Sequence, residues 1–438
     1  MEHLKIGMIS LGCNKNRVDS ELALGIMKEH GYSVTARPEE ADILMVNTCG
    51  FIGPAKEEAI DTILEMAGYK HSGRCRLLVV SGCLAQRYPQ ALMDEMPEID
   101  VLLGVNQYQH LPEMVETAMK DGRRISSVED SGTFCEHSRI LTTPSYSAYI
   151  RIGEGCSNRC TFCAIPLIRG KYRSRSRELI LAEIRDLAAQ GVREHILVAQ
   201  DTTRYGTDLG GHTQLPSLMK EAGQIPGVDW LRVLYCYPDE TDESLLDQMA
   251  DSDTICPYLD LPIQHISDPL LRRMNRRGTS ADIRRCVRLA RERNITLRTS
   301  IIVGFPGETE SQFQELLDFI QEARFDRLGA FAYSAEEGTP AASMPDQIDE
   351  DVKKERLDRL MKLQAGISLA ANRARLGTTE KVLVTGRQGR LWKGRSRREA
   401  PETDGEILFA SKRELTVGEF CEVSITQAET YDLRGECL

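Results

Sequence analysis

The stretch "GEGCSNRCTFCAIPLIRG", residues 153–170, holds Cys156, Cys160 and Cys163 in the spacing C-x3-C-x2-C. Zinc sites and closed iron–sulfur sites are normally held by four protein ligands. No fourth Cys or His follows nearby. Three thiolates would leave one iron of a cubane cluster without a protein donor, which is typical of a metal site that is kept open for chemistry.

The alternative is that these cysteines are small buried hydrophobic residues. With thirteen cysteines in 438 residues, this triplet would arise by chance in roughly one such sequence in a hundred. Its place directly after the first strand of a predicted β/α series makes chance less plausible still. The triplet therefore favours a catalytic cluster whose open iron chelates a small molecule with amine and carboxylate groups.

The composition is typical of a globular protein of two to four domains, with 41% hydrophobic and 28% charged residues. The opening "MEHLKIGMISLGCNKN" meets charges and a cysteine too early for a signal peptide. No stretch approaches the ~20 apolar residues of a membrane span. An odd number of cysteines without an export signal favours metal or catalytic thiols in a reducing compartment, so we expect a cytoplasmic protein with no membrane partner.

The net charge of -11 disfavours a broad nucleic-acid footprint, which usually makes a domain basic. It suits a basic protein partner better, although simple solubility explains it equally well.

The first 135 residues alternate short apolar runs with helical patterns, which predicts an α/β domain with a parallel sheet. A helix is predicted over 19–31, with Asp19 or Ser20 as its cap, and another from Pro54 to Ala67. The predicted strands are "KIGMISL" (5–11), "DILMVN" (42–47), "RLLVVSG" (76–82) and "DVLLG" (100–104).

Residues 136–147 are polar and are predicted to link this domain to a second β/α series in residues 148–372. Six β/α units predict a partial (β/α)6 barrel with its site at the carboxyl ends of the strands. From about Thr379 short strands and polar turns predict a small all-β, OB-like barrel in residues 373–438. The six candidate strands of the central series are 148–153, 195–201, 230–236, 258–265, 297–305 and 328–334.

A second set of cysteines follows the predicted strands of the first domain: Cys13 after the first strand, Cys49 after the second and Cys83 after the third. Because parallel strands bring their carboxyl ends to one edge of a sheet, we expect these thiols to converge. The alternative is three buried structural cysteines, but the repeated placement favours a second open cluster. Glycines flank the set and allow close backbone approach to a cluster: Gly12, Gly50 and Gly82.

The motif "GCSNRCTFC" resembles the cluster motif of radical S-adenosylmethionine enzymes, and the two cysteine sets together resemble the methylthiotransferases over essentially the whole chain. The resemblance implies an N-terminal methylthiotransferase domain (1–135), a radical S-adenosylmethionine domain (148–372) and a TRAM domain (373–438). In that family one molecule of S-adenosylmethionine supplies a methyl group and another yields the radical that opens a substrate C–H bond. The implied cofactors are S-adenosylmethionine and two 4Fe-4S clusters, with the ligands Cys13, Cys49, Cys83, Cys156, Cys160 and Cys163.

Several stretches resemble the branch called RimO, which adds a methylthio group to the β-carbon of an aspartate in small ribosomal subunit protein 12. The implied partners are that protein, free or in the ribosome, an electron donor such as flavodoxin or ferredoxin, and a sulfur source. The chain departs from the branch at Asn14, where Pro is expected, and Asn is compatible with a turn there. The matching stretches are "VDSE", "NTCGFI", "AKEE", "QDTTRYG", "YLDLPIQH", "GFPGETE" and "FAYSAEEGTPAA".

Six residues near predicted strand ends are candidates to bind S-adenosylmethionine: Gln200, Asp201, His265, Arg298, Ser300 and Gly304. The first two end one strand and are candidates for its amino group, His265 ends another, and Arg298 and Ser300 alternate on one face of a third. Gly304 allows close backbone approach near the adenine. Phe162 is a candidate to pack on the adenine or to fill the loop core. Each polar residue is equally compatible with a hydrogen-bonded barrel residue.

The predicted C-terminal barrel has nearly balanced charge, so a dominant phosphate-binding surface is not expected. Its basic strip "KGRSRR" (393–398) is either an exposed hairpin loop or a contact for RNA. Two alternative functions stay open at this point. One is the same chemistry on a tRNA adenosine, and the other is a non-catalytic iron–sulfur sensor or RNA-binding module.

We expect anaerobically reconstituted protein to hold about eight irons, and about four after Cys13, Cys49 and Cys83 are all replaced by Ala, because each triplet is predicted to hold one cubane. Iron and acid-labile sulfide assays on both proteins measure this. An unchanged iron content, or a triple variant without iron, would contradict two independent three-thiolate sites.

Overall fold

The computed structural model describes residues 4–129, 132 and 134–438. Six parallel strands form an N-terminal sheet in which the first three follow the order second, first, third and the rest follow in sequence. The strands are β1 (Lys5–Ser10), β2 (Ser33–Thr35), β3 (Ile43–Thr48), β4 (Leu77–Gly82), β5 (Val101–Leu103) and β6 (Ile125–Ser127). The helices of this part are α1 (Asn14–Glu29), α2 (Gly53–Ser72), α3 (Cys83–Arg87), α4 (Pro89–Glu95) and α5 (Leu111–Asp121).

Helices cover both faces of this sheet, with α1 and α5 on one face and α2 to α4 on the other. The central strands β3 and β4 are buried along their whole length, as expected of strands that face two layers of helices. The edge strands β2 and β6 are three residues long and are not predicted from the sequence. Such short, largely polar segments do not show the alternation of apolar and polar residues by which a strand is recognised.

The predicted start of α1 is wrong. The helix begins at Asn14, and both Asp19 and Ser20 lie inside it and are buried. The sequence predicts a later start because a helix is recognised from its apolar face. Here the buried face of the first turns is polar, since Asp19 pairs with Arg151 and Arg169 from the central part of the chain.

The central part begins with β7 (Ser147–Arg151) and ends with α14 (Glu350–Arg373), and its six long strands form two parallel three-stranded groups. A bridge between Leu231 and Ile255 joins the groups. The remaining strands are β8 (Gly153–Glu154), β9 (Arg173–Ser174), β10 (Glu194–Val198), β11 (Trp230–Val233), β12 (Tyr258–Asp260), β13 (Thr296–Val303) and β14 (Arg327–Ala332). The remaining helices are α6 (Ile165–Arg169), α7 (Arg177–Ala189), α8 (Thr207–Gly210), α9 (Leu215–Gly223), α10 (Glu243–Asp251), α11 (Asp268–Arg273), α12 (Ser280–Glu292) and α13 (Glu310–Ala323).

These strands run side by side from β7 through β10, β11, β12 and β13 to β14, with helices packed on the outer face. The predicted partial barrel is thereby confirmed, and we call it the half-barrel. Short 3₁₀ helices connect some of the elements of the chain: Pro38–Glu40, Tyr108–His110, Thr202–Arg204, Pro238–Glu240 and Pro340–Ser343.

Five strands close into the C-terminal barrel, as predicted. All neighbours in it are antiparallel except its third and fifth strands in chain order, which run parallel. The strands are β15 (Thr379–Gln388), β16 (Leu391–Arg395), β17 (Ile407–Ala410), β18 (Phe420–Ala428) and β19 (Leu433–Cys437). None of the helices in the described ranges combines the length and the apolar character that crossing a bilayer needs.

The basic strip 393–398 is neither an exposed loop nor a free surface, because it joins the C-terminal barrel to the half-barrel. Arg395 and Arg232 both pair with the buried carboxylate of Glu194, at the start of β10. Burial alone would raise the pKa of Glu194, but the two guanidinium groups outweigh it and hold the pKa at about 2. Arg397 donates to the Ser252 carbonyl at 2.6 Å. Arg395 and Arg397 already bind groups of the half-barrel, so little of the positive charge of the strip is available to bind RNA.

Gly25, in the middle of α1, marks where the linker crosses that helix. A β-carbon there would stand inside contact distance of the Ser138 carbonyl and 2.8 Å from the Arg139 Cα. The Ile140 N–H donates to the Glu21 carbonyl at 3.0 Å, which holds the linker on the helix.

Gly25→Ala is expected to lower the free energy of unfolding by ~1–3 kcal/mol, because the added methyl group overpacks against backbone. The matched control is Gly366→Ala in α14, where nothing lies within 4 Å of the added carbon. There the change should stabilise the protein by ~0.5–1 kcal/mol, the usual effect in a helix. Urea unfolding of both variants measures this, and equal effects would show that the linker does not lie on α1.

Candidate functional site

Three loops at the carboxyl edge of the N-terminal sheet carry the first cysteine set. Cys13 is the N-cap residue of α1, Cys49 follows β3 and Cys83 begins α3. Since β1, β3 and β4 are neighbours in the sheet, the three loops lie side by side. A β-carbon on Gly12 would stand 2.9 Å from the Cys49 Cβ, and one on Gly50 would meet the backbone at the start of α3 at 2.7 Å. The glycines therefore let the loops approach one another, which brings the thiols together.

The second set lies in the loop between β8 and α6, which the surrounding backbone holds in place. The Cys156 N–H donates to the Gly170 carbonyl at 3.1 Å, and the Cys163 N–H donates to the Cys160 carbonyl at 3.0 Å. Cys156 and Cys160 are buried and Cys163 is half-buried. As predicted from the sequence, the loop follows the first strand of the half-barrel.

The two sets lie at the contact between the N-terminal sheet and the half-barrel. Cys83 packs in one apolar cluster with Ala164 and Ile168. Ala164 directly follows Cys163 in the chain. The sequence left the distance between the sets undecided, and the structure makes them neighbours.

Arg169, at the end of α6, joins the two sets. Its guanidinium contacts Asp19 at 2.8 Å, Glu154 at 3.0 Å and the Cys83 sulfur at 3.7 Å. Arg151 pairs with the same two carboxylates, at 2.5 Å and 3.2 Å. We call the four charged residues Asp19, Arg151, Glu154 and Arg169 the Arg169 network. All of them are buried.

Glu154 is ionised within this network. Burial alone would raise the pKa of its carboxyl, but Arg169 and Arg151 outweigh that effect and hold the pKa at about 2. Two buried carboxylates therefore balance two buried guanidinium groups, which is the condition under which such charges are tolerated away from water.

The donor set fits an iron–sulfur cluster. Burial, with the nearby Cys13 and Cys49, raises the pKa of the Cys83 thiol to about 12, although Arg169 opposes the shift. Burial likewise raises the pKa of Cys156 to about 11. A cluster offers the positive charge that thiolates need in such surroundings, and thiolates are its usual ligands.

A single bound ion fits less well. Among the residues that the structure describes, no three His, Cys, Asp or Glu side chains stand close enough to hold one metal ion. The thiolates of a cluster bind different iron atoms, so they stand farther apart than the ligands of one ion.

Two of the predicted cofactor residues lie beside the second cysteine set. Gln200 donates through Nε2 to Glu154 at 2.8 Å, and its Oε1 is buried without a hydrogen-bond partner among the described residues. Asp201 accepts from Asn158 of the cysteine loop at 2.8 Å and from Arg277 at 3.1 Å. Gln200 thus keeps a free acceptor, whereas Asp201 holds the loop.

The other four predicted cofactor residues have protein neighbours, and their cofactor role stays a prediction. His265 bonds Glu308 at 3.1 Å, and Glu308 also accepts from the Gly304 N–H at 2.6 Å. The space beside Gly304 is filled by the side chain of Lys353. Arg298 pairs with Asp260 at 2.8 Å, near the C-terminal barrel, and half-buried Ser300 shares its face of β13. Phe162 packs edge-on against Phe305, with ring centroids 6.5 Å apart.

Arg169, Glu154 and Arg276 also belong to the site and are not predicted from the sequence. Arg276 donates to the Cys160 sulfur at 3.7 Å and lies over the Tyr237 ring at 4.2 Å. For Arg169 and Glu154 the only signal is a charge close to the cysteine motif, in "PLIRG" and "GEGC", and for Arg276 there is none. Such charges are normally solvated, so the sequence did not single them out.

Arg169→Met is expected to lower the free energy of unfolding by ~3–5 kcal/mol, because it leaves Asp19 and Glu154 with less compensation in a buried site. The matched control is Arg284→Met, which removes an exposed pair with Glu322 and should cost less than ~1 kcal/mol. Urea unfolding of both variants tests this, and similar losses would mean that the Arg169 network is not a buried ion cluster.

Comparison with known proteins covers all three parts of the chain. Residues 150–320 match the Radical SAM superfamily, and residues 376–438 match the TRAM domain. Residues 5–104 match the family described as uncharacterized protein family UPF0004. Each match lies on one of the three parts of the fold.

Solved structures support the fold of the chain. A radical S-adenosylmethionine methyltransferase, TsrM from Kitasatospora setae, superimposes with a TM-score of 0.56 at 17% identity, covering 78% of this chain and 74% of its own. The cobalamin-dependent S-adenosylmethionine radical enzyme OxsB gives 0.51 at 14% identity, over 83% of this chain and 56% of its own. At such identities the likeness concerns the fold alone.

Other proteins share far more sequence identity with this chain than these solved structures do. The ribosomal protein uS12 methylthiotransferase RimO of Desulforamulus reducens is 51% identical over 98% of this chain and 99% of its own. The RimO of Clostridium kluyveri is 50% identical over 99% and 98%. With the two neighbouring cysteine sets and the three matching domains, these relatives show that the chain belongs to the RimO family of methylthiotransferases.

Proposed function

We propose that this protein is a radical S-adenosylmethionine methylthiotransferase that adds a methylthio group to the β-carbon of an aspartate in ribosomal protein uS12, which is small ribosomal subunit protein 12. The observation that carries the proposal is that two sets of three thiols lie at one contact, where Arg169 and Ala164, which follow the second set, both reach Cys83 of the first. Identity of about half over nearly the whole chain to relatives named for this activity supports it.

An iron–sulfur cluster and S-adenosylmethionine are the cofactors of this family, and we assign two 4Fe-4S clusters to this chain. Cys156, Cys160 and Cys163 would hold one, and Cys13, Cys49 and Cys83 the other. When bound, the cofactors supply the sulfur, the methyl group and the radical that opens a C–H bond. Cys13 is exposed, which leaves its side of the site accessible to a sulfur source.

The residues around the cysteine loops position these groups. Asp201 holds the loop of the second set through Asn158, and Glu154 orients Gln200 so that its unpaired Oε1 is available to accept from the cofactor's amino group. Arg169 contacts both Cys83 and Glu154, and so helps to fix the position of the two sets relative to each other.

We divide the chain into a methylthiotransferase domain (1–135), a linker (136–147), a radical S-adenosylmethionine domain (148–372) and a TRAM domain (373–438). The division is supported by the N-terminal six-stranded sheet, the half-barrel and the closed C-terminal barrel. A ribosomal substrate implies a cytoplasmic location, and an electron donor such as flavodoxin or ferredoxin. The net charge of -11 favours attraction to a basic ribosomal protein.

The structure favours a protein substrate over tRNA. The basic strip 393–398 is the feature that suggested RNA, and Arg395 and Arg397 are occupied at the contact with the half-barrel. Lys393 also pairs with Glu406, at 2.6 Å.

Reconstituted, reduced enzyme with S-adenosylmethionine is expected to produce 5′-deoxyadenosine and to add the mass of one methylthio group to the aspartate of uS12. Cys160→Ala should abolish both products. The matched control Cys286→Ala removes a buried thiol outside both sets and should keep them. Mass spectrometry of uS12 and of tRNA measures the outcome. A mass gain on tRNA with none on uS12 would replace this proposal by the tRNA activity, and absence of 5′-deoxyadenosine would exclude both.

A further inference from the structure

Lys15 is a buried lysine beside the proposed active site. It lies in the first turn of α1, two residues after Cys13, and is only 8% exposed. Its ammonium stands 3.2 Å from the centroid of the Tyr235 ring. Within the described part of the chain, no hydrogen-bond acceptor and no ion pair is found for this ammonium.

An unpaired ammonium on a lysine that is only 8% exposed is unusual. Lysine is almost never buried without a partner, because the loss of hydration costs more than one weak contact returns. A cation–π contact contributes only ~0.5–2 kcal/mol. The other buried lysine, Lys353, has its partner, since it pairs with Glu350 at 2.6 Å. The Lys15 ammonium therefore lacks the kind of anionic partner that Lys353 has.

The start of α1 adds positive potential at the same place. The helix has 16 residues, no acidic residue in its first turn and no side-chain hydrogen bond from its N-cap, Cys13. The N-terminus of a helix attracts anions through its free N–H groups and its dipole. The unpaired ammonium and the uncapped helix start thus favour an anion at one point.

Tyr235 holds this ammonium at the carboxyl end of the half-barrel strands. It follows β11 and adopts a φ of 63°, which is strained for a residue with a large side chain. Its N–H donates to Asp260 at 3.0 Å and its hydroxyl donates to the Asn14 Oδ1 at 3.3 Å. Pro, the residue expected at position 14 in this branch, offers no such acceptor. Tyr235 is thus held in a costly conformation that places its ring under Lys15.

The position also lies between the two cysteine sets. Cys13 is two residues from Lys15. The Tyr235 carbonyl accepts from the Thr202 N–H at 3.1 Å, and Thr202 follows Asp201, which holds the loop of the second set. A group bound at Lys15 would therefore be near both sets.

We propose that Lys15 binds the side-chain carboxylate of the substrate aspartate, with the Tyr235 ring holding its ammonium and the start of α1 adding positive potential. This inference rests on the proposed function and names the recognition of its substrate. Pairing at the carboxylate orients the adjacent β-carbon, and it distinguishes an aspartate from a neutral side chain or a nucleobase. S-adenosylmethionine also carries a carboxylate, so the test separates the two sources.

The test measures binding on the anaerobic holoenzyme with S-adenosylmethionine present. The probes are a fluorescent uS12 peptide that contains the target aspartate and the same peptide with Asn in its place. Wild-type enzyme should bind the Asp peptide at least about 30-fold more tightly, as expected when one partner of a buried charge pair is removed. Lys15→Met should reduce that preference to within about threefold, whereas Lys15→Arg should keep part of it.

Two controls accompany the variants. Lys362→Met, on the exposed side of α14 where Lys362 pairs with Asp358, should leave the preference unchanged. Iron content should match wild type in Lys15→Met, because replacing an unpaired charge on a largely buried side chain by an apolar side chain does not destabilise the fold. A loss of iron would show that Lys15 supports the cluster site, and would overturn the proposal.

The outcomes separate this inference from the proposed function. If wild type binds neither peptide, the uS12 activity itself fails. If wild type prefers the Asp peptide and Lys15→Met keeps the full preference, Lys15 does not bind that carboxylate. If Lys15→Met loses affinity for S-adenosylmethionine while its peptide preference is unchanged, the carboxylate bound there is that of the cofactor, and the proposal is again overturned.

Discussion

A single guanidinium, that of Arg169, connects the two halves of the proposed active site. It contacts Asp19 from α1, Glu154 from the half-barrel and the Cys83 sulfur. Because these groups are buried, none can exchange its partner for water without a large loss of free energy. This ion cluster therefore sets the relative position of the two cysteine sets together with the less directional apolar contacts around it.

The N-terminal sheet and the C-terminal barrel cover two different surfaces of the half-barrel. The N-terminal sheet covers the carboxyl ends of the strands, where Tyr235 and the cysteine loop lie. The C-terminal barrel covers the face opposite the helices, with Trp230 and Phe420 rings 4.8 Å apart and Arg395 on Glu194. An isolated half-barrel would expose both surfaces. The additional domains thus complete its core as well as its site.

Prediction succeeded where a feature is local or follows from strand order. Cys13, Cys49 and Cys83 converge because each follows a parallel strand, and the sheet order makes those strands neighbours. It failed where polar side chains are buried. Asp19 was interpreted as a cap and lies within α1, and Arg395 was placed in an exposed or RNA-binding strip and is an interface residue. Hydrophobic patterns do not report a polar group whose partner is distant in the chain.

The sequence by itself determined the three-part architecture, the two sets of three thiols and the family, because these depend on short motifs and on the order of strands. Only the tertiary structure decided that the two sets lie at one contact, that Arg169 joins them, and that Lys15 is buried on Tyr235. Asp19 and Arg169 lie far apart in the chain, as do Lys15 and Tyr235. Such pairings arise from packing between domains, and no periodicity within either segment encodes them.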